Sequence, residues 1–166
     1  SCIAVSDPAQ VTDDQRYWFD FVEAAYDVGL KGLEDVAASG KPAYHQEQGL
    51  VDYFRGREAE VGERIGKPIQ LELLKPYTGT HNAGYTECQE FYGAITLNSR
   101  EPLGEQIVIM LDVAIRGVGN MWDDVVIPGM DFVVVENTCG KFGPRIEELN
   151  AIPHNVQALV GNVNEQ

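Results

Sequence analysis

Cysteine is scarce in this chain: Cys2, Cys88 and Cys139 are all it has in 166 residues. An odd count leaves one thiol unpaired even if the other two are bridged, so a dense disulfide framework is excluded and the compartment stays open. Histidine is as rare, and His45, His81 and His154 lie far apart in the sequence. Positive charge is also short, with 12 Lys and Arg against 26 Asp and Glu and a formal net charge of −14. A field of that sign repels phosphate backbones and anionic lipid heads, so nucleic acid is not an expected partner. The longest apolar runs, Ile107 to Leu111 and Phe132 to Val135, fall far short of the roughly 20 residues that cross a bilayer, and no membrane span is expected.

Familiar catalytic signatures are missing too. There is no Gly-x-x-x-x-Gly-Lys-Ser/Thr phosphate loop, no Gly-x-Gly-x-x-Gly after a strand, no Gly-x-Ser-x-Gly elbow, no His-Glu-x-x-His and no Cys-x-x-Cys. His45-Gln46-Glu47 matches half of a zinc deaminase signature, but neither Cys88 nor Cys139 belongs to the Pro-Cys-x-x-Cys that completes such a site.

What the chain does have is the material of one core. Hydrophobic residues make up 44% and charged residues 23%, a globular balance, and the length suits one core better than two. Residues 1–166 therefore read as a single soluble domain. The start at Ser1-Cys2, without Met, reads as a processed or trimmed end, compatible with the cytoplasm or with export after N-terminal processing.

Helical periodicity comes first. Thr12-Asp13-Asp14-Gln15 has the capping-box pattern, and Trp18, Phe21, Val22, Ala25, Val28, Leu33 and Val36 follow at spacings of three and four, predicting a helix over about 13–38. Gly29 and Gly32 inside it mark either close packing or a break. Ser39-Gly40-Lys41-Pro42 stops this helix, and a second from Ala43 to Ile65 ends in another Gly-Lys-Pro.

Past Pro68 the pattern changes to alternation at Ile69, Leu71 and Leu73, as in a strand. A polar stretch from Lys75 to Glu90 reads as a long loop, and strands are expected at Phe91 to Leu97, Gln106 to Arg116, Val125 to Ile127 and Phe132 to Glu136. Short helices are expected near Arg145 to Asn150 and from Pro153 to about Val160. The order implies an α+β fold, with an N-terminal helical hairpin packed on one face of a mostly antiparallel sheet of about five strands and short C-terminal helices.

Candidate chemistry gathers in the 75–90 loop. His81, Glu87 and Cys88 have the types needed for a nucleophile with its base, or for part of a metal site, although a turn residue and a buried thiol also explain them. His45, His81 and His154 are the available imidazole ligands, with nothing in the sequence to bring them together. Asp123, Asp124 and Asp131 offer oxygen ligands without an EF-hand pattern and read as turn residues.

Consecutive aromatics at Tyr17, Trp18, Phe19 and Phe21 exceed one helical stripe and imply a second contact surface. Trp18, Tyr77, His81, Tyr85 and Tyr92 are the candidate ligand-binding residues. The preferred expectation is a non-catalytic ligand-binding, sensory or accessory domain with a pocket between helices and sheet. The alternatives are an enzyme built on the loop's Cys/His/Glu or a metal centre, and a structural or assembly subunit. The expected partner is a small molecule or another protein, including a second copy of the chain, and no cofactor is specified.

Overall fold

The computed structural model describes residues 8–71, 80–83, 93–116 and 132–150. After a turn of 3-10 helix at Pro8–Gln10, helix α1 spans Asp13–Ser39 and α2 spans Tyr44–Ile65. Strands β1 (Thr80–Asn82), β2 (Gln106–Arg116), β3 (Phe132–Phe142) and β4 (Arg145–Glu148) form an antiparallel sheet in the order β1-β2-β3-β4. The architecture is α+β, two helices packed on one face of a four-stranded sheet.

Local chemistry sets the helix ends. The Gln15 backbone N–H donates to Thr12 Oγ1 at 3.1 Å and the Thr12 N–H donates to Gln15 Oε1 at 3.0 Å, completing the capping box. Gly40 and Gly66 close α1 and α2 in the left-handed conformation, at φ 64° and 74°.

Gly29 and Gly32 do not break α1. A Cβ on Gly29 would stand 3.1 Å from Leu111 Cδ1 and 3.3 Å from Leu50 Cδ2, and one on Gly32 would stand 3.2 Å from Gln46 Cα. They let α1 approach both α2 and β2. Gly29→Val is expected to lose about 2 kcal/mol by overpacking this contact, read as a lower urea midpoint at unchanged slope.

The aromatic surplus of α1 is absorbed in the same way. Trp18, Phe19 and Phe21 are all buried, because α1 meets α2 on one side and β2, β3 and β4 on another. Phe21 packs against Tyr53 and Phe54 of α2, with ring centroids 5.6 and 6.1 Å away.

The outer seam of the hairpin is charged. Arg57 makes two bonds to Glu60, Tyr17 Oη donates to Glu60 Oε1 at 2.6 Å, and Arg64 lies over the Tyr17 ring while binding Asp14. The Arg57 and Tyr17 hydrogen bonds hold the Glu60 carboxyl down at about 2, whereas burial and then Glu60 push Tyr17 up to about 12. A depressed carboxylate stabilises the folded state above its unfolded value and loses that contribution as pH falls through the folded one. Wild type should therefore lose stability relative to Glu60→Gln between about pH 4.5 and 2. The side chain is 47% exposed, so solvent screening keeps the difference to under about 1 kcal/mol.

Several elements differ from the sequence expectation. Residues 69–71 form no strand, although Leu71 is fully buried and its N–H donates to Glu58 Oε1, so its burial comes from docking on α2. The expected 75–90 loop contains β1, and residues 93–97 are irregular, with Ile95 N–H donating to the Thr80 carbonyl at 2.8 Å. The expected short helix at 145–150 is β4, because Gly143, at φ 60°, turns the chain back along β3. Strand β3 runs on to Phe142, six residues past the expected end at Glu136, since tertiary pairing overrides the weak propensity of Asn137, Thr138 and Gly140. The calls at Cys2 to Val5, Val125 to Ile127 and Pro153 to Val160 lie outside the described residues.

Candidate functional site

Alternation along the strands separates two faces of the sheet. Ile109, Leu111, Val113 and Ile115 of β2 and Val133, Val135 and Cys139 of β3 join the core under the helices. Thr80 belongs to that face, since it pairs with Leu111 and accepts a hydrogen bond from Gln46 Nε2 of α2 at 2.7 Å. The intervening residues point to the face away from the helices, which carries Met110, Asp112 and Ala114 from β2, Val134, Glu136 and Thr138 from β3, and His81 from β1.

Register sets their neighbours. Asp112 is directly opposite Glu136, Met110 is opposite Thr138, and His81 pairs with Met110. Two carboxylates thus face each other across the β2–β3 ladder, with an imidazole one step along the same face. Opposed Cβ atoms in such a ladder are about 5 Å apart, close enough for like charges to repel.

His81 is 5% exposed, and its Nδ1 lies 2.9 Å from the Asn82 carbonyl oxygen. A carbonyl oxygen only accepts, so His81 Nδ1–H donates to it. Among the described residues, no three His, Cys, Asp or Glu side chains converge closely enough to hold a metal ion.

The sequence candidates separate. His81 reaches this face, whereas His45 is exposed at the start of α2, stacked on Tyr44 with centroids 4.1 Å apart. Adjacent Gln46 points to the sheet instead, so helix geometry turns His45 away from His81. Trp18 is 1% exposed in the core and cannot present its ring to a ligand. Tyr77, Tyr85, Glu87, Cys88, Tyr92, Asp123, Asp124, Asp131 and His154 lie outside the described residues. Cys139 is a free, buried thiol pushed up to about 11 by burial and then by Glu148, an environment that suppresses nucleophilicity.

Among the described residues, the space between helices and sheet is filled by core side chains. An open groove of about 840 Å³ lies between the later half of α1 and the start of α2, where it is lined by Asp27, Lys31, Asp35, Lys41 and His45. Lys31 and Asp35 are already paired with each other there.

Asp112 and Glu136 were not singled out by sequence. Asp112 interrupts the hydrophobic run Ile107 to Ile115, while Glu136 ends the run Phe132 to Val135, and those positions are the signal that points to them. An acid breaking a strand that is otherwise built for burial has a reason to be there.

No family model matches the sequence, and no curated protein matches it. Solved structures do match the fold. The chain is similar to the aminopeptidase PepP of Pseudomonas aeruginosa at 14% identity and a TM-score of 0.64, covering 94% of this chain and 36% of that one. It is similar to an X-Pro aminopeptidase from Thermotoga maritima at 17% identity and a TM-score of 0.56, over 87% of this chain and 33% of that one. Zn-substituted aminopeptidase P of E. coli, in complex with product, matches at 15% identity and a TM-score of 0.60, over 93% and 36%. The chain therefore spans about a third of the length of the structures it matches, and identities this low establish likeness of fold.

These findings correct the expectation of a non-catalytic, sensory or accessory binding domain. The similar folds are those of peptidases, and among the described residues the crevice meant to hold a ligand is packed. Among the described residues no helix is long and apolar enough to cross a membrane.

Proposed function

We propose that this chain supplies the substrate-facing sheet of a peptidase that cleaves next to proline, as the names of the similar structures describe. The observation that carries the reading is the Asp112–Glu136 pair, opposed across the ladder on the face that the helices leave uncovered.

Opposed carboxylates cost stability unless a cation or a shared proton lies between them, and hard oxygen donors suit a divalent ion. His81 adds a nitrogen donor on the same face. The donor types fit such an ion, while among the described residues no three His, Cys, Asp or Glu side chains converge to hold one. When bound, the ion polarises a carbonyl and makes water more acidic.

The remaining work belongs to the chain. Asp112 and Glu136 hold negative charge at a spacing fixed by β2–β3 pairing, and a carboxylate there accepts the proton of the attacking water. The net charge of −14 draws the ammonium end of a peptide toward the chain.

The test supplies the purified chain with Mn²⁺ or Zn²⁺ and peptides carrying Pro or Ala at the second position, then quantifies the released N-terminal residue. Release from the Pro series that EDTA abolishes is the expected result. Absence of release from both series, together with no cation uptake, would overturn the reading.

A further inference from the structure

One polar cluster lies on the other side of β3, directly behind Glu136. Tyr26 Oη donates to Glu148 Oε1 at 2.5 Å, and Asn137 Nδ2 donates to the same oxygen at 2.8 Å. Tyr26 has no exposed surface and Asn137 only 4%, and both sit among the apolar residues Val135, Cys139 and Ala25. Burial, then the Glu148 hydrogen bond, drive the Tyr26 hydroxyl far above its ordinary range, so it stays a donor.

Apolar side chains of the same shape would stabilise this layer about as well, because hydrogen bonds gain little net energy once desolvation is counted. What apolar packing lacks is direction. Two neutral donors converging on one carboxylate oxygen fix three elements at one point: α1 through Tyr26, β3 through Asn137 and β4 through Glu148. Leu149 N–H donates to the Thr138 carbonyl at 2.8 Å and locks the edge strand beside them.

Asn137 adjoins Glu136, so the point held on the core face is one residue from the carboxylate on the other. We propose that Tyr26, Asn137 and Glu148 act as a positioning clamp that fixes β3 so that Glu136 keeps its place opposite Asp112. The inference rests on the reading of that carboxylate pair as the working site. None of the three clamp residues touches substrate; they act through the backbone of β3.

The test measures Zn²⁺ binding by calorimetry, thermal unfolding and amide exchange at Val135, Glu136 and Asn137. It compares wild type with Glu148→Ala, Glu148→Gln, Asp112→Asn and Val61→Ala, the last a buried α2 control far from the sheet site. Glu148→Ala should weaken the Asp112-dependent Zn²⁺ affinity about 10-fold or more, the scale of lost outer-shell support, and speed exchange at Glu136. Glu148→Gln keeps an acceptor oxygen and should restore both, while Val61→Ala lowers the melting temperature alone.

If Glu148→Ala and Val61→Ala lower stability alike and leave affinity and exchange unchanged, the clamp is only structural and the proposal falls. If wild type takes up no Zn²⁺, the cation reading of the site fails by itself and exchange decides the clamp. Loosening at Glu136 that Glu148→Gln reverses supports it, and unaltered exchange overturns it.

Discussion

On the proposed peptidase reading, Asp112→Asn and Glu136→Gln should each lower the release from X-Pro peptides by about 10-fold or more, while the melting temperature without added metal stays unchanged or rises. Loss of outer-shell support at a metal site costs about 10–100-fold, and removing a proposed ligand should cost no less. The stability prediction has the opposite sign for a physical reason. The two acids are directly opposed at register positions on β2 and β3, so neutralising either one removes a repulsion from the folded state. Steady-state kinetics with added Mn²⁺, and thermal melts of the metal-free proteins in EDTA, check both. A variant that stays active would remove the carboxylate pair from the mechanism. One that loses activity and stability together would mark the acid as structural.

Trp18→Ala should destabilise the chain by about 3–5 kcal/mol, the usual cost of truncating a buried Trp, against a total of about 5–15 for a typical domain. The ring is 1% exposed and makes an edge contact with Phe21 at 5.9 Å and with Tyr17 at 4.9 Å. Among the described residues its indole N–H is buried without a hydrogen-bond partner. Trp18→Phe should therefore cost much less than Trp18→Ala, because it gives up some apolar area while removing an orphaned donor. Urea unfolding of the pair separates these contributions. Equal losses would mean that the nitrogen is satisfied after all, and a stable Trp18→Ala would return Trp18 to the ligand-binding candidates.

The uneven legibility of the fold has a local explanation. The first helix was readable because its cap, stripe and Gly stop all act within a few residues, and α1 starts at Asp13 as the Thr12 capping box requires. Strand β2 was readable because its apolar run stands between Gly104 and Gly117. Strand β4 was misread because Arg145-Ile146-Glu147-Glu148 carries no alternation strong enough to outweigh helix-forming Glu, and only pairing with Cys139 to Phe142 makes it a strand. Likewise β1 sits in a segment of turn-forming residues and owes its extension to Ile109, Met110 and Leu111 across the ladder.

The candidate site was hidden for a related reason. His81 was noticed for its residue type, while Asp112 and Glu136, 24 positions apart, look like ordinary acids until register opposes them. By itself the sequence determined the class of fold and the helical hairpin, because periodicity, caps and glycines act over short distances along the chain. Only the tertiary structure decided which acids face each other, which histidine joins them and that Trp18 belongs to the core. Strand register and helix docking are contacts between residues remote in sequence, and no local pattern encodes which partners will meet.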